Sequence, residues 1–472
     1  MSDQQRNISF FGSAFYIFSG RFFNNVAVLV VMYFFTRHFS TTLYGIYGGL
    51  SSLLNFFTII AGISLPLFTL VYPAERLAAF FRSFKGVHYL GYGLMLLCCA
   101  ILFALLQYRD IPEWYLLTVF FILFTISNIT DACLIALKHH PWLALINLIY
   151  ALLFVGIHLS VLQLSIPFGR LILYWILILI VKIVFSVVIF RKGWKTPASA
   201  LPDSESKPQM LSLWRHLYIT DIIQVSFLWV DKFLIFFLAS NDTMAIYYNG
   251  TLQLPFIMTV FSAVSNAAIQ ILASHQDKNI QVNMVKTVGK VLSAVMFPAF
   301  LYLMFFGKSL FVFFFSEKYL LSVPVFICSV MILPLRAYNF SMLLQKNEKG
   351  KIITAGAVGD LIIALLLMYP LYHFFGLPGL ALSFVISTLC QSAFYAFYTA
   401  KTMQVNIAGL FPLKNWIGKS LLFFLLCFAL HYLPETVIFL PQFMAAGIIV
   451  AVVSILIFLW EFKQIRSVQT GG

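Results

Sequence analysis

Charge is scarce in this chain. Of 472 residues only 10% are Asp, Glu, Lys or Arg, sixteen acids against thirty bases, while 61% are apolar and the mean hydropathy is +0.95. A water-soluble globular protein carries about 25% charge, so a nuclear, cytosolic or secreted protein is excluded. Cysteine is sparse too. Cys98, Cys99, Cys133, Cys328, Cys390 and Cys427 all fall in apolar stretches without C-x-x-C spacing, which points to buried small hydrophobes and not to disulfides or zinc ligands. The His139-His140-Pro141 pair has no metal-site spacing and H-E-x-x-H is missing, so no metal site is expected. There is no G-x-x-x-x-G-K-[ST] phosphate loop and no polar stretch long enough for a soluble domain. Work by such a chain is driven by a gradient or by the substrate's own concentration difference and not by its own ATP hydrolysis, and no cofactor is expected beyond H+ or Na+ coupling. No cleavable signal peptide is expected, because the apolar segment from Ile8 is too long for one and carries Arg21. The apolar runs are continuous and not alternating, against a β-barrel.

What is present is a series of long apolar runs. Breaks at charges, Pro and Gly predict fourteen helices, near 8–36, 44–72, 88–107, 113–137, 142–165, 168–190, 214–240, 244–273, 287–306, 322–345, 354–374, 378–400, 416–433 and 438–460. An even count puts both termini on one side. With that side cytoplasmic, twenty-one of the thirty bases fall in inner segments and five (Arg37, Arg109, Arg170, Lys308, Lys318) in outer loops. The basic excess is therefore a membrane-orientation signal and not a nucleic-acid patch. Residues 191–209, RKGWKTPASALPDSESKPQ, form the longest polar segment and predict a flexible cytoplasmic linker.

The two halves match at an offset of 200, Tyr44-Gly45-Ile46-Tyr47 on Met244-Ala245-Ile246-Tyr247 and Ser40 on Ser240. Six helices per half give both halves the same orientation, a parallel repeat. The expected fold class is thus an all-α polytopic membrane protein of about fourteen transmembrane helices. Its expected parts are an N-terminal six-helix lobe (1–190), a linker (191–213), a C-terminal six-helix lobe (214–402), and two additional helices with a tail (403–472).

Polar residues inside the spans are the candidate site. Arg21 shares a helical face with Asn24 and Asn25. Its guanidinium can fork onto phosphate as an anion clamp, or it can serve a structural ion pair. The repeat makes it equivalent to Asp221. Arg336 follows Pro334, which loosens the tenth span, and is either a second basic contact or the partner of an acid on a neighbouring helix. Asp221, Asp231 and Asp360 are buried acids able to take a coupling ion, and Asp231 adjoins Lys232 without sharing its helical face. Asp131 is expected to be capping or solvated, and Lys182 to snorkel to the inner surface. Asn55 in the second span and Asn249, Gln253, Asn266 and Gln270 in the eighth are amides suited to sugar hydroxyls or to joining helices, with Pro255 as a hinge.

The segments 19–50, 221–270, with Asp231 followed by an apolar run and Ala245-Ile246-Tyr247, 314–351 and 376–387 together resemble Wzx-type lipid-linked oligosaccharide flippases of the multidrug/oligosaccharidyl-lipid/polysaccharide exporter superfamily. That resemblance covers residues 8 to about 400. It implies two six-helix bundles in a V around a polar, basic cavity. It also implies transport of an undecaprenyl-pyrophosphate-linked glycan from the inner to the outer leaflet of the bacterial cytoplasmic membrane for O-antigen or other surface polysaccharide. Arg21, Asn24, Asn25, Asn55, Gln253, Asn266 and Arg336 would bind substrate, and Asp221, Asp231 and Asp360 would couple ions. Glycan polymerase and glycosyltransferases are the implied partners. The family often has Asn where this chain has Asp360, and many members have twelve spans, not fourteen. A multidrug or metabolite antiporter, a lipid II flippase and, less favoured for want of a long outer loop, a membrane glycan polymerase are the competing readings.

Overall fold

A computed structural model describes residues 10–68, 77, 80–81, 85–164, 167–193, 206–252, 277–347, 349–433 and 440–470, with scattered residues between 257 and 272. Among the described residues there is no strand. The chain forms two compact units, Met1–Met244 and Ala245–Gly472.

The first unit holds α1 (Phe10–His38), α2 (Thr41–Ala61), α3 (Lys85–Tyr108), α4 (Trp114–Ala136), α5 (His140–Leu164), α6 (Phe168–Gly193) and α7 (Ser206–Leu238). It ends in the start of α8 (Asn241–Gly250). α1 packs on α5, α2 on α7 and α3, and α4 on α6. The second unit is built on α9 (Lys278–Phe315), against which α10 (Val323–Val330), α14 (Leu413–His431) and α15 (Gln442–Thr470) pack. Between them lie α11 (Met342–Lys346), α12 (Gly350–Phe375) and α13 (Leu377–Met403). α12 and α13 form a tight hairpin whose turn is Gly376, at φ +65° and ψ −144°, a conformation open only to glycine. The Tyr395 ring fills the space beside Gly356, and its hydroxyl donates to the Ile353 carbonyl at 2.7 Å.

Among the described residues eleven helical segments are long and apolar enough to cross a membrane. α1 carries Arg21, Asn24 and Asn25, and α7 carries Asp221, Gln224, Asp231 and Lys232. Much of the expected span 244–273 lies outside the described residues. The all-α, many-span fold class stands.

Two expected spans end early. The helix expected over 44–72 stops at Ala61, and the one expected over 244–273 first stops at Gly250, followed by a turn. The tenth span, expected as one helix over 322–345, is in three pieces: α10, a 3-10 turn Leu333–Ala337 and α11. Pro334 removes a backbone donor and Tyr338 is extended, at φ −144° and ψ 136°.

The offset-200 repeat is visible in the caps. Ser40 accepts from the Leu43 N–H at 3.2 Å, and Ser240 accepts from the Thr243 N–H at the same distance. Tyr44 and its counterpart Met244 are both fully buried.

Candidate substrate and ion sites

In the first unit the site grows from the broken end of α2. The chain leaves α2 through Ile63 and Ser64, at φ 44° and 52°, before turning helical again at Leu65. Positive φ is costly for non-glycine residues and most so for β-branched Ile. Three groups of α7 hold it there. The Trp214 Nε1–H donates to the Ile63 carbonyl at 2.6 Å and the Tyr218 hydroxyl to the Ile60 carbonyl at 3.2 Å. The Ser64 hydroxyl donates to the Asp221 carboxylate. Beside this junction a cavity of about 200 Å³ is lined by Thr58, Ser64, Thr125, Asn128, Asp221 and Gln224 over an apolar floor. Among the described residues its lining contains an acid and no base.

In the second unit the broken tenth span opens a cavity of about 220 Å³. Arg336 enters from the 3-10 turn, Asn339, Ser341 and Gln345 from the following turn and α11, and Thr388, Gln391 and Ser392 from α13. The guanidinium carbon stands 5.8 Å over the Phe261 ring. Among the described residues it makes no ion pair or hydrogen bond. Asp360 is buried on α12, and its charge and that of Arg336 act on one another through space. One of its carboxylate oxygens is buried without a hydrogen-bond partner.

The remaining expected site residues are dispersed. The side chains of Arg21, Gln253, Asn266 and Gln270, and Pro255, lie outside the described residues. Asn24 donates to the side chain of buried Asn147 on α5 at 3.2 Å, a helix-joining amide pair. Asn25 is half-buried. Asn55 donates back to the Ser51 carbonyl one turn earlier, at 2.8 Å. Asn249 is fully buried.

Three buried bases are paired where the sequence suggested otherwise. The Lys232 amine curls back onto its neighbour Asp231 at 3.3 Å and onto the Leu228 carbonyl at 3.2 Å. The expectation that adjacent residues diverge fails because four methylenes let a lysine fold along its own helix. Lys182, expected to snorkel, instead pairs with Asp131 across α4 and α6 at 2.8 Å, beside the Tyr150 ring. Asp131 is therefore neither a cap nor solvated. Lys419, counted among the inner-segment bases, is 6% exposed; it pairs with Glu461 of α15 and donates to the Lys290 carbonyl at 2.6 Å. The Lys182–Asp131 and Lys419–Glu461 partnerships follow no local spacing, so pattern alone could not find them. The α2 break was foreshadowed by Gly62 and Pro66.

No family model and no curated protein matches this chain. Solved structures do. A lipid II flippase, MurJ, in an inward closed conformation superposes with a TM-score of 0.64 at 16% identity, over 96% of this chain and 99% of that one. An inward-facing multidrug resistance MATE family transporter of the MOP superfamily gives 0.59 at 12%, over 81% and 94%. A Vibrio cholerae MATE transporter gives 0.52 at 13%, over 84% and 97%. With its many apolar spans, this multi-pass membrane protein has the fold shared by MOP-superfamily transporters, lipid II flippase and MATE alike.

Proposed function

We propose that this protein is a secondary transporter that flips an undecaprenyl-pyrophosphate-linked oligosaccharide from the inner to the outer leaflet of the bacterial cytoplasmic membrane by alternating access. Both termini are cytoplasmic in this reading. Its lobes run 1–190 and 214–402, joined by the 191–213 linker, and 403–472 forms two additional helices and a tail. The observation that carries it is Arg336, a guanidinium without an ion-pair partner among the described residues, in a cavity whose walls combine the amides and hydroxyls of Asn339, Ser341, Gln345, Thr388, Gln391 and Ser392 with the aromatic and apolar surface of Phe261, Leu335, Tyr338, Phe340 and Tyr395. A guanidinium forks onto phosphate oxygens, and amides and hydroxyls suit sugar hydroxyls. Arg21, with Asn24, Asn25, Asn55, Gln253 and Asn266, supplies further contacts. Binding must be modest for turnover, and Asp360, near enough to act on Arg336, weakens its grip when ionised. Asp360 and Asp221 are the coupling acids this reading favours over Asp231, whose charge Lys232 already meets. Glycan polymerase and glycosyltransferases would hand on and supply the substrate.

A proton- or cation-coupled drug antiporter is the second reading. The cavity at Asp221, whose described lining holds an acid and no base, favours it.

The test is reconstitution in vesicles loaded with fluorescent undecaprenyl-pyrophosphate-linked oligosaccharide, scoring access of an outside quencher. Wild type should expose the label and Arg336→Ala should do so at least tenfold more slowly. The loss of one charge-assisted contact is worth about 1.5–3 kcal/mol. Equal rates, or dye efflux without glycan flipping, would reject the flippase.

A further inference from the structure

A second basic cleft lies in the second unit, away from any residue assigned above. It has a volume of about 450 Å³ and is lined by Asn283, Lys286, Thr287 and Lys290 of α9 and by residues 411–415 at the start of α14. Three lysines, Lys286, Lys290 and Lys414, thus line one recess. Lys286 and Lys290 are four apart on one face of α9, where like charges repel and destabilise the helix. Yet both are half-buried, and among the described residues none of the three has an ion-pair or hydrogen-bond partner for its amine. Glu461, whose carboxylate oxygens already take Lys419 and Asn415, is not available to them. Pro412, at the N-cap of α14, offers no side-chain cap to that helix's first N–H groups.

Two further features fix the depth of the cleft and what adjoins it. Trp416 donates its Nε1–H to the Gly289 carbonyl at 3.1 Å. A tryptophan at the end of a span belongs at headgroup level. From there an apolar stripe runs along α14: Leu413, Ile417, Leu421 and Leu425, at four-residue spacing, are 45%, 68%, 57% and 55% exposed. A phosphate seated on the lysines would have hydrocarbon surface directly beneath it.

We infer that this cleft binds the phosphodiester headgroup of an anionic phospholipid, with its acyl chains along the exposed face of α14. The phosphate neutralises the lysines that the protein leaves unneutralised, and the stripe selects a lipid over a free anion. The site is independent of the transported substrate.

Purified full-length protein titrated with dihexanoyl phosphatidylglycerol should show a saturable rise in melting temperature that falls with added salt. Dihexanoyl phosphatidylcholine and inorganic phosphate at the same concentration should give little. Lys414→Gln, at an exposed position, should weaken phosphatidylglycerol binding about fivefold, and K286Q/K290Q/K414Q about a hundredfold. Native mass spectrometry of wild type and Lys414→Gln from the same membranes gives a second readout, with fewer co-purified anionic lipids expected on the variant. An equal response to phosphatidylcholine, an equal response to inorganic phosphate, or unchanged phosphatidylglycerol binding by Lys414→Gln and the triple variant would each overturn the proposal. If the triple variant does not fold, the single variant decides.

Discussion

Among the described residues, three buried lysines are met by an acid, and half-buried Arg336 is not. Lys182 with Asp131, Lys232 with Asp231, and Lys419 with Glu461 are neutralised in place. Breaking such a pair from one side strands a charge in apolar surroundings, at a cost of about 3–5 kcal/mol. Lys419→Met should therefore lower the unfolding midpoint sharply, because Glu461, 1% exposed, is left without its cation. The double variant K419M/E461L should recover most of the loss, and thermal unfolding of the three proteins in detergent checks both statements. Arg336 behaves oppositely. Having no salt bridge to lose, Arg336→Gln should leave the midpoint within about 1 kcal/mol of wild type while removing transport. A large drop in stability would mean that its role is structural.

At the scale of elements, the breaks matter more than the helices. The end of α2 is held at positive φ through Ile63 and Ser64, with Ser64 bonded to Asp221. Ser64→Ala loses that bond and keeps the unfavourable backbone, whereas Ser64→Gly loses the bond but relieves the backbone by about 1 kcal/mol. Both variants should be less stable than wild type, with Ala the worse, as urea or thermal unfolding will show. Close approach is the second device at this scale. A Cβ on Gly45 would lie 1.8 Å from the Asn241 carbonyl oxygen, so the α1–α2 and α7–α8 turns can meet there. In that contact the Thr41 and Thr42 hydroxyls donate to Asp242 at 2.6 and 2.9 Å, and Arg109 donates to Asn241. Gly45→Val should block it and cost several kcal/mol, while Gly93→Val, with nothing within 4 Å of its Cβ, should be nearly silent. The helices themselves were legible as apolar runs, and Pro334 pointed to the weak tenth span. The three-piece break and the polar wall that α13 contributes to the Arg336 cavity were not, because they depend on which helix stands opposite.

At the scale of the molecule, the last two helices are part of the second unit and not an appendage. α14 and α15 cover α9 through Lys419, Glu461 and the Ser454 hydroxyl, which donates to the Ala294 carbonyl at 2.6 Å. Phe306, Phe423, Cys427 and Ala446 form one apolar cluster with them. A chain stopped after Met403 should expose that face of α9 and aggregate on size-exclusion chromatography, in contrast to full-length protein.

Composition settled that this chain is a membrane protein. With 10% charge and long unbroken apolar runs, no other solvent can hold it, and the period of those runs allows only helices. The offset-200 similarity likewise announced a duplicated plan, because equivalent segments cap and bury alike. What chain order could not announce is which charges cancel. Asp131 and Lys182 are fifty-one residues apart, and Lys419 and Glu461 forty-two. A salt bridge is decided by a few ångströms between side chains, and that proximity exists only once the helices have packed. Packing thereby gave Asp231, a candidate coupling acid, a lysine partner, paired Lys182 and Lys419 with acids as well, and left Arg336 without an ion-pair partner among the described residues.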